Sequence, residues 1–292
     1  MEIINRRKRM MSVARKIRRE DNRRIGFVPT MGALHEAHLT LVREARAICD
    51  IVVVSIFVNP KQFGPEEDFN KYPRDLTRDA SLLADYNVDY VFAPGVREIY
   101  PVDFSTHVSV EGLSEELEGT ARPGHFRGVA TIVAILLNIV RPDFAFFGQK
   151  DAQQAALIKR LVRDLAFDTE VVVLPVVRED SGLAMSSRNE YLNSDERRAA
   201  VVLNQALLKA QAAYHDGEHD AAHLIEIARS VLEKEPLARV DYVSVNDAET
   251  FEKVDTVADR PALISLAAYI GNTRLIDNAI LRKDQQAAVA KP

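Results

Sequence analysis

At 292 residues and 32.7 kDa the chain is long enough for one large or two ordinary domains, and a change of texture along it favours two. A net charge of −5 and a pI near 5.9 give no global drive toward nucleic acid or anionic membrane, and no apolar run approaches the roughly 20 residues that cross a bilayer. The single cysteine, Cys49, excludes an internal disulfide, and no secretory apolar region precedes the first predicted strand; together these point to a reducing, cytoplasmic compartment.

The first patterned segment, Arg6 to Arg24, is dense in Arg and Lys, but Met10, Val13 and Ile17 recur at helical spacing within it. That predicts a helix with a solvated basic face rather than a presequence or a nucleic-acid arm, because it leads straight into a strand. Ile25 to Val28 is short, apolar and β-prone, and Pro29 and Gly32 break it before a helical period starts at about Leu34. Asp50 to Val58 is a continuous apolar run of the kind buried on both faces of a parallel sheet, and it ends in the polar loop Asn59 to Pro65. A helix over Asp75 to Tyr86, a strand over Val88 to Ala93 and a further short strand over Thr106 to Val110 follow. Then come a helix over Val129 to Val140, a strand over Phe144 to Phe147, an amphipathic helix over Asp151 to Leu165 and a strand over Val171 to Val177. Strands alternating with helices predict an α/β domain with a parallel sheet. Beyond Asn193 the pattern changes to two Ala/Leu-rich helices, about Ser194 to His215 and Asp220 to Glu233, then β-like pieces at Val240 to Val245, Ala262 to Ile270 and Thr273 to Ala279. This α+β texture places a boundary near Asp180 to Ser187, giving domains 1–183 and 184–292, with a frayed tail from Lys283 onward.

The strand, loop and helix around Pro29 to His38 carry the first chemical signal. A helix start leaves amide N–H groups unpaired and partly positive, which makes an anion site, and His35 and His38, three residues apart, face the same way. Two imidazoles there can donate hydrogen bonds to charge that builds as a phosphorus–oxygen bond breaks. The spacing is not that of a zinc protease, whose histidines stand four apart. Three other segments end predicted strands and would open onto the same crevice: Asn59 to Gly64 with Gln62, Phe147 to Gln154 with Lys150, and Val177 to Asn189 with Ser186, Ser187 and Arg188. Lys150 suits a phosphate as a point charge, the serines add hydroxyl donors, and Arg188 can bridge phosphate oxygens. Gln62 and Gln154 are neutral and suit hydroxyls. Each has a structural reading on its own, as a helix-start charge, a cap or loop surface. The combination is harder to dismiss.

Pro29 to His38, Asn59 to Gly64, Arg122 to Val129, Phe147 to Gln154 and Met185 to Asn189, in that order, resemble the pantothenate synthetase family, within the wider nucleotidyltransferase superfamily. The resemblance spans nearly the whole chain. It implies a Rossmann-like ATP-binding domain, a smaller C-terminal domain that closes over the site, a homodimer, and use of ATP and Mg²⁺ to join pantoate to β-alanine. By the same resemblance Met31, Gly32, Ala33, Leu34, His35, Glu36, Ala37 and His38 line the ATP site, with His38 as proton donor and His35 beside the phosphates. Gly148, Gln149, Lys150, Asp151, Val177, Met185, Ser186, Ser187 and Arg188 complete it, with Lys150 on the phosphates and Asp151 close to the metal or ribose. Gln62 and Gln154 hold pantoate, and Gln62 also lies near β-alanine. One departure stands out: Ala37 occupies the position of the glycine in the family's His-x-Gly-His pattern, so a methyl group meets the nucleotide there.

The implied reaction explains the parts. A carboxylate does not accept an amine nucleophile until it is activated, which ATP does by forming a pantoyl adenylate; its pyrophosphate leaving group needs cationic and hydrogen-bonding support. Three rival readings fit the residues less well. A nucleotidyltransferase acting on a phosphorylated acceptor calls for cationic contacts where Gln62 and Gln154 are neutral. A tRNA ligase conflicts with the acidic balance and the absence of an anticodon-sized extension. A nucleotide-sensing module without turnover leaves His38, Lys150 and Arg188 together unexplained.

Overall fold

In the computed structural model, residues 1–19, 22–65 and 67–283 are described. The tail expected to fray from Lys283 onward lies outside them except for Lys283 itself, whose Nζ donates to Asp259 Oδ1 at 2.9 Å. The chain divides into two compact units, Met1–Pro175 and Val176–Pro292.

The first unit is built on six parallel strands: β1 (Glu2–Ile4), β2 (Ile25–Thr30), β3 (Ile51–Ile56), β4 (Tyr90–Phe92), β5 (Phe144–Gly148) and β6 (Glu170–Leu174), in the spatial order β1-β4-β3-β2-β5-β6. Its helices are α1 (Arg7–Arg19), α2 (Glu36–Ile48), α3 (Leu76–Ala84), the single turns α4 (Val96–Ile99) and α5 (Glu118–Ala121), α6 (His125–Val140) and α7 (Ala152–Asp164). Two buried layers explain the uninterrupted apolar run of β3. Ile51 and Val53 pack with Phe27, Ala145 and Phe147 against residues of α1, α6 and α7, whereas Val52 and Val54 pack with Val28 and Phe146 against α2 and Leu83 of α3. Helices therefore cover both faces, and neither face of the central strands can be polar. The basic helix α1 sits as expected, with Met10, Val13, Ala14 and Ile17 buried.

Two expectations need correction. Thr106 to Val110 forms no strand: the Val108 N–H donates to Thr131 Oγ1 at 3.0 Å, tying that stretch to a helix side chain rather than to a neighbouring strand. The sixth strand is instead β1, three residues paired with β4 at the sheet edge and too short to show a period. Helix α2 begins at Glu36, not Leu34, because Gly32 and Ala33 adopt left-handed backbone (φ +81° and +51°) and His35 becomes the N-cap.

The second unit carries an antiparallel sheet, β7 (Ala238–Asp247), β8 (Ala262–Ile270) and β9 (Thr273–Leu281), covered by α8 (Ser194–Ala199), α9 (Val202–His215) and α10 (Ala221–Leu232). Asn193 caps α8, accepting from the Asp195 and Glu196 N–H groups while Glu196 accepts from the Asn193 N–H. The single helix expected over 194–215 is two: the Val201 and Leu203 N–H groups bond three residues back, to Arg198 and Ala200, and this tight turn separates α8 from α9.

Candidate active site

The loop between β2 and α2 is held from inside the protein. Thr30 Oγ1 donates to the Ser55 carbonyl (2.7 Å) and accepts from the Gly32 N–H (3.2 Å). Asp79, 1% exposed on α3, accepts from the Ala33 N–H (3.0 Å) and the Leu34 N–H (2.9 Å), one on each carboxylate oxygen. The His35 N–H points at His38 Nδ1 (3.4 Å). Four successive amides are thus satisfied internally, so the donors left facing an anion are side chains and the N–H groups of Glu36 and Ala37 at the helix start. This narrows the anion site expected from the loop as a whole.

The His35 and His38 rings lie against each other with centroids 4.1 Å apart and planes tilted by 38°. Burial, then the neighbouring charges of His35 and Lys150, push His38 down to about 3. At neutral pH it is an uncharged imidazole whose Nδ1 faces an amide, which leaves the proton on Nε2 for donation. The proton-donor role implied for His38 is therefore open to it only as a neutral hydrogen-bond donor.

The segment after β3 is a single 3₁₀ turn, Pro60–Gln62, organised by Asn59, which is 1% exposed. Its Oδ1 accepts from the Lys61 N–H (3.2 Å) and Tyr100 OH (2.8 Å), and its Nδ2 donates to Gln62 Oε1 (3.0 Å) and the Gly128 carbonyl (3.2 Å). Gln62 Nε2 is thereby turned toward Met31 Sδ at 3.0 Å. The same turn is braced by His125, whose Nδ1–H donates to the Gln62 carbonyl (2.8 Å) while its Nε2 accepts from Arg122, itself paired with Glu67 at 2.7 Å. Glycine at 128 is obligatory: a Cβ there would lie 2.2 Å from the Lys61 carbonyl oxygen. The motif around Arg122 to Val129 therefore supports the turn that aims Gln62.

Burial pushes His125 down to about 4, and His38 behaves likewise. Both stay neutral when folded, while an unfolded histidine protonates near 6.5. The unfolded state binds more protons between those values, so stability is complete above pH 6.5 and falls as pH drops toward 4. Denaturant midpoints at pH 7.5 and 4.5 are expected to show this loss, about 3 kcal/mol for His125 alone. His125→Gln should flatten the dependence, and an unchanged pH slope in that variant would refute the assignment.

Lys150 follows β5 in the 3₁₀ turn Gln149–Asp151, on the strand next to β2, with its side chain 19% exposed and its Nζ 3.8 Å from Asp151 Oδ1. The adjacent glutamines divide their roles. Gln153 is 6% exposed, accepts from the Glu118 N–H (3.1 Å) and donates to the Leu113 and Glu116 carbonyls (2.8 and 2.7 Å). Gln154 is partly exposed and makes no side-chain hydrogen bond among the described residues, so its amide is available to a ligand.

In the second unit, Val177 to Met185 is a hairpin: the Met185 N–H donates to Val177 O (3.0 Å) and Arg178 bridges Ala184. Arg178 forms a bidentate pair with Asp277 (2.6 and 3.1 Å), which is 2% exposed. Ser186 Oγ accepts from the Arg188 N–H at 3.3 Å, capping the 3₁₀ turn Ser187–Tyr191, so its hydroxyl proton remains free to donate. Asn189 Nδ2 holds the turn through Glu179 Oε1 (2.9 Å) and the Ala184 carbonyl (3.1 Å).

The residues that sequence reasoning missed are mainly supports. Asp79 had no local pattern to expose it, His125 was visible only as part of the Arg122 to Val129 motif with no role attached, and Asn59 only as the first residue of its loop.

The model of the pantoate-beta-alanine ligase family matches residues 2–280. The chain belongs to the pantoate-beta-alanine ligase family. It is 56% identical over 263 residues to the pantothenate synthetase of Pelotomaculum thermopropionicum, covering 90% of this chain and 93% of that one. It is 52% identical over 284 residues to that of Thermosipho africanus, covering 96% of this chain and 100% of the relative. Among solved structures, the Thermus thermophilus pantothenate synthetase superposes with a TM-score of 0.90 at 44% identity, covering 97% of this chain and 100% of that one. The Francisella tularensis pantoate-beta-alanine ligase, described as complexed with beta-gamma ATP and beta-alanine, gives a TM-score of 0.79 at 35% identity, over 96% and 97% of the two chains.

Ala37 takes the second position of α2, where the resemblance noted in the sequence leads one to expect glycine. Ala37→Gly is expected to tighten nucleotide binding a few-fold by removing a methyl group, at a cost of roughly 0.5–1 kcal/mol in helix stability. Calorimetric titration with a nonhydrolysable ATP analogue checks it; equal or weaker affinity in the glycine variant would show that the methyl group does not obstruct the site.

Proposed function

We propose that this chain is an ATP-dependent ligase that condenses pantoate with β-alanine to pantothenate through a pantoyl adenylate, releasing pyrophosphate and then AMP. The observation that carries the reading is the arrival of His35, His38 and Lys150 at the carboxyl ends of the neighbouring strands β2 and β5, in a chain matched to the ligase family over residues 2–280. Gln62, aimed by Asn59, and Gln154, with its free amide, supply neutral groups for the pantoate hydroxyls and carboxylate.

A pantoate carboxylate oxygen attacks the α-phosphorus in line, and the bond to pyrophosphate breaks with charge building on the leaving oxygen. His38 Nε2–H and Lys150 oppose that charge, with His35 alongside, in a site whose groups are already oriented. The β-alanine amine then attacks the acyl carbonyl, AMP departs with the bonding electrons, and the amine gives up its proton to leave an amide. The homodimer and the cytoplasmic location belong to the same proposal; no helix of the described residues is long and apolar enough to cross a membrane.

The residues suit a magnesium ion carried chiefly by phosphates. Among the described residues no three His, Cys, Asp or Glu side chains gather as a metal site, and Asp151, half exposed beside Lys150, offers one carboxylate, as magnesium takes when phosphates supply most of its ligands. When bound, the ion would neutralise phosphate charge and orient the chain of phosphates.

The test is to incubate the protein with ATP, Mg²⁺, pantoate and β-alanine and to measure pyrophosphate and AMP, omitting each acceptor in turn. A pyrophosphate burst with pantoate alone and sustained AMP release only with both acceptors is expected. ATP binding without either product would overturn the ligase reading.

A further inference from the structure

Asp79 has no role in the chemistry above, yet its placement is unusual for a carboxylate. The exposed residues Leu76, Thr77 and Arg78 precede it on α3, whereas Asp79 turns inward and is 1% exposed. Burial pushes its carboxyl up, and the two amides it accepts from oppose that shift. An apolar side chain there would avoid the cost of burying a carboxylate but would leave the Ala33 and Leu34 N–H groups unpaired, so the acid is tied to that turn. Both oxygens go to consecutive main-chain donors, Ala33 and Leu34, at 3.0 and 2.9 Å. Those donors lie in the left-handed turn immediately before the histidines. Ala33 holds φ +51°, a region an alanine enters only under restraint. Gly32 fits the carboxylate in return, since a Cβ at Gly32 would lie 2.9 Å from Asp79 Oδ2.

We infer that Asp79 is a positioning residue for nucleotide activation: its buried carboxylate clamps the Gly32–Ala33 turn and so sets where His35 and His38 stand at the start of α2. The clamp uses up the two loop amides that would otherwise compete for phosphate and leaves the Glu36 and Ala37 N–H groups and the imidazoles as the ordered donors. It acts through the loop and touches no reacting atom. The inference rests on the ligase reading, and the experiment keeps the two apart.

Asp79→Asn preserves shape but replaces one acceptor oxygen with an amide that meets a main-chain N–H. In the full chain, the KM for ATP is expected to rise about tenfold, while the KM for β-alanine stays within twofold. Amide hydrogen exchange at Ala33 and Leu34 should quicken at least tenfold, read by NMR. An unchanged ATP KM, an equal rise in both KM values, or unchanged exchange at those two amides would overturn the role. If the wild-type protein forms no pyrophosphate with pantoate, the ligase reading fails, while amide exchange and the calorimetric affinity for an ATP analogue still decide whether Asp79 orders the nucleotide loop. Should Asp79→Asn fail to fold, Gly32→Ala displaces the same carboxylate without removing its charge. It should give the same selective effects on ATP and on the two amides, and their absence would refute the clamp.

Discussion

Replacing His38 with alanine is expected to slow pyrophosphate release by a factor of about 10²–10³, the range seen when one preorganised donor to developing charge is removed. The imidazole is neutral, held near 3 by burial and by the charges of His35 and Lys150, so its contribution is a directed Nε2–H bond rather than a positive charge. Two consequences follow from that distinction. His38→Gln keeps a neutral donor and should recover part of the lost rate, and the wild-type rate should show no acid limb between pH 6 and 8 assignable to His38. Lys150→Gln removes a charge that a neutral amide cannot replace, so it should stay near the level of the alanine variant. Single-turnover pyrophosphate assays on the three variants test this; wild-type rates in His38→Ala would remove the residue from the mechanism. As the third residue of α2 and an acceptor for the His35 N–H, His38 also caps its helix, and its loss should cost about 1 kcal/mol of stability.

Arg178→Ala is expected to destabilise the second unit by about 3–5 kcal/mol, because it strands a buried charge. Asp277 is 2% exposed and takes its one cationic partner from Arg178, at 2.6 and 3.1 Å, with the Asn278 N–H donating to the same carboxylate at 2.8 Å, whereas Arg178 also braces the Gly182 carbonyl at 3.2 Å inside the Val177 to Met185 hairpin. By contrast, Arg163→Ala removes an exposed pair with Asp164, and its effect should stay within about 0.5 kcal/mol. Denaturant unfolding followed by probes in each unit measures both, and a loss below 1 kcal/mol in Arg178→Ala would show that water reaches Asp277.

Much of the architecture was readable from local patterns. The apolar run of β3 reported burial on two faces, Met10, Val13 and Ile17 marked the inner side of α1, and the change of texture beyond Asn193 marked the start of the helices of the second unit. Where local patterns were silent or misleading, a distant contact decided. Thr106 to Val110 has strand-like composition but is captured by Thr131 of α6, and the edge strand β1 is too short to carry a period.

The candidate site divides along the same line. His35, His38, Gln62, Lys150 and Gln154 lie in short motifs after predicted strands, and motif spacing is a property of the chain alone. What aims them is not. Asp79 clamps amides 45 and 46 residues away, and Gly128 admits the Lys61 carbonyl into a space that any Cβ would fill. By itself the sequence determined the alternation of strands and helices, the chemical kind of each candidate site residue and the family, because periodicity, turn chemistry and residue type are encoded within a few neighbours. Only the tertiary structure decided that His38 is neutral, that the loop amides are already satisfied and that Gln153 is structural while Gln154 is free. Desolvation and hydrogen-bond partnership depend on which distant segments close around a group.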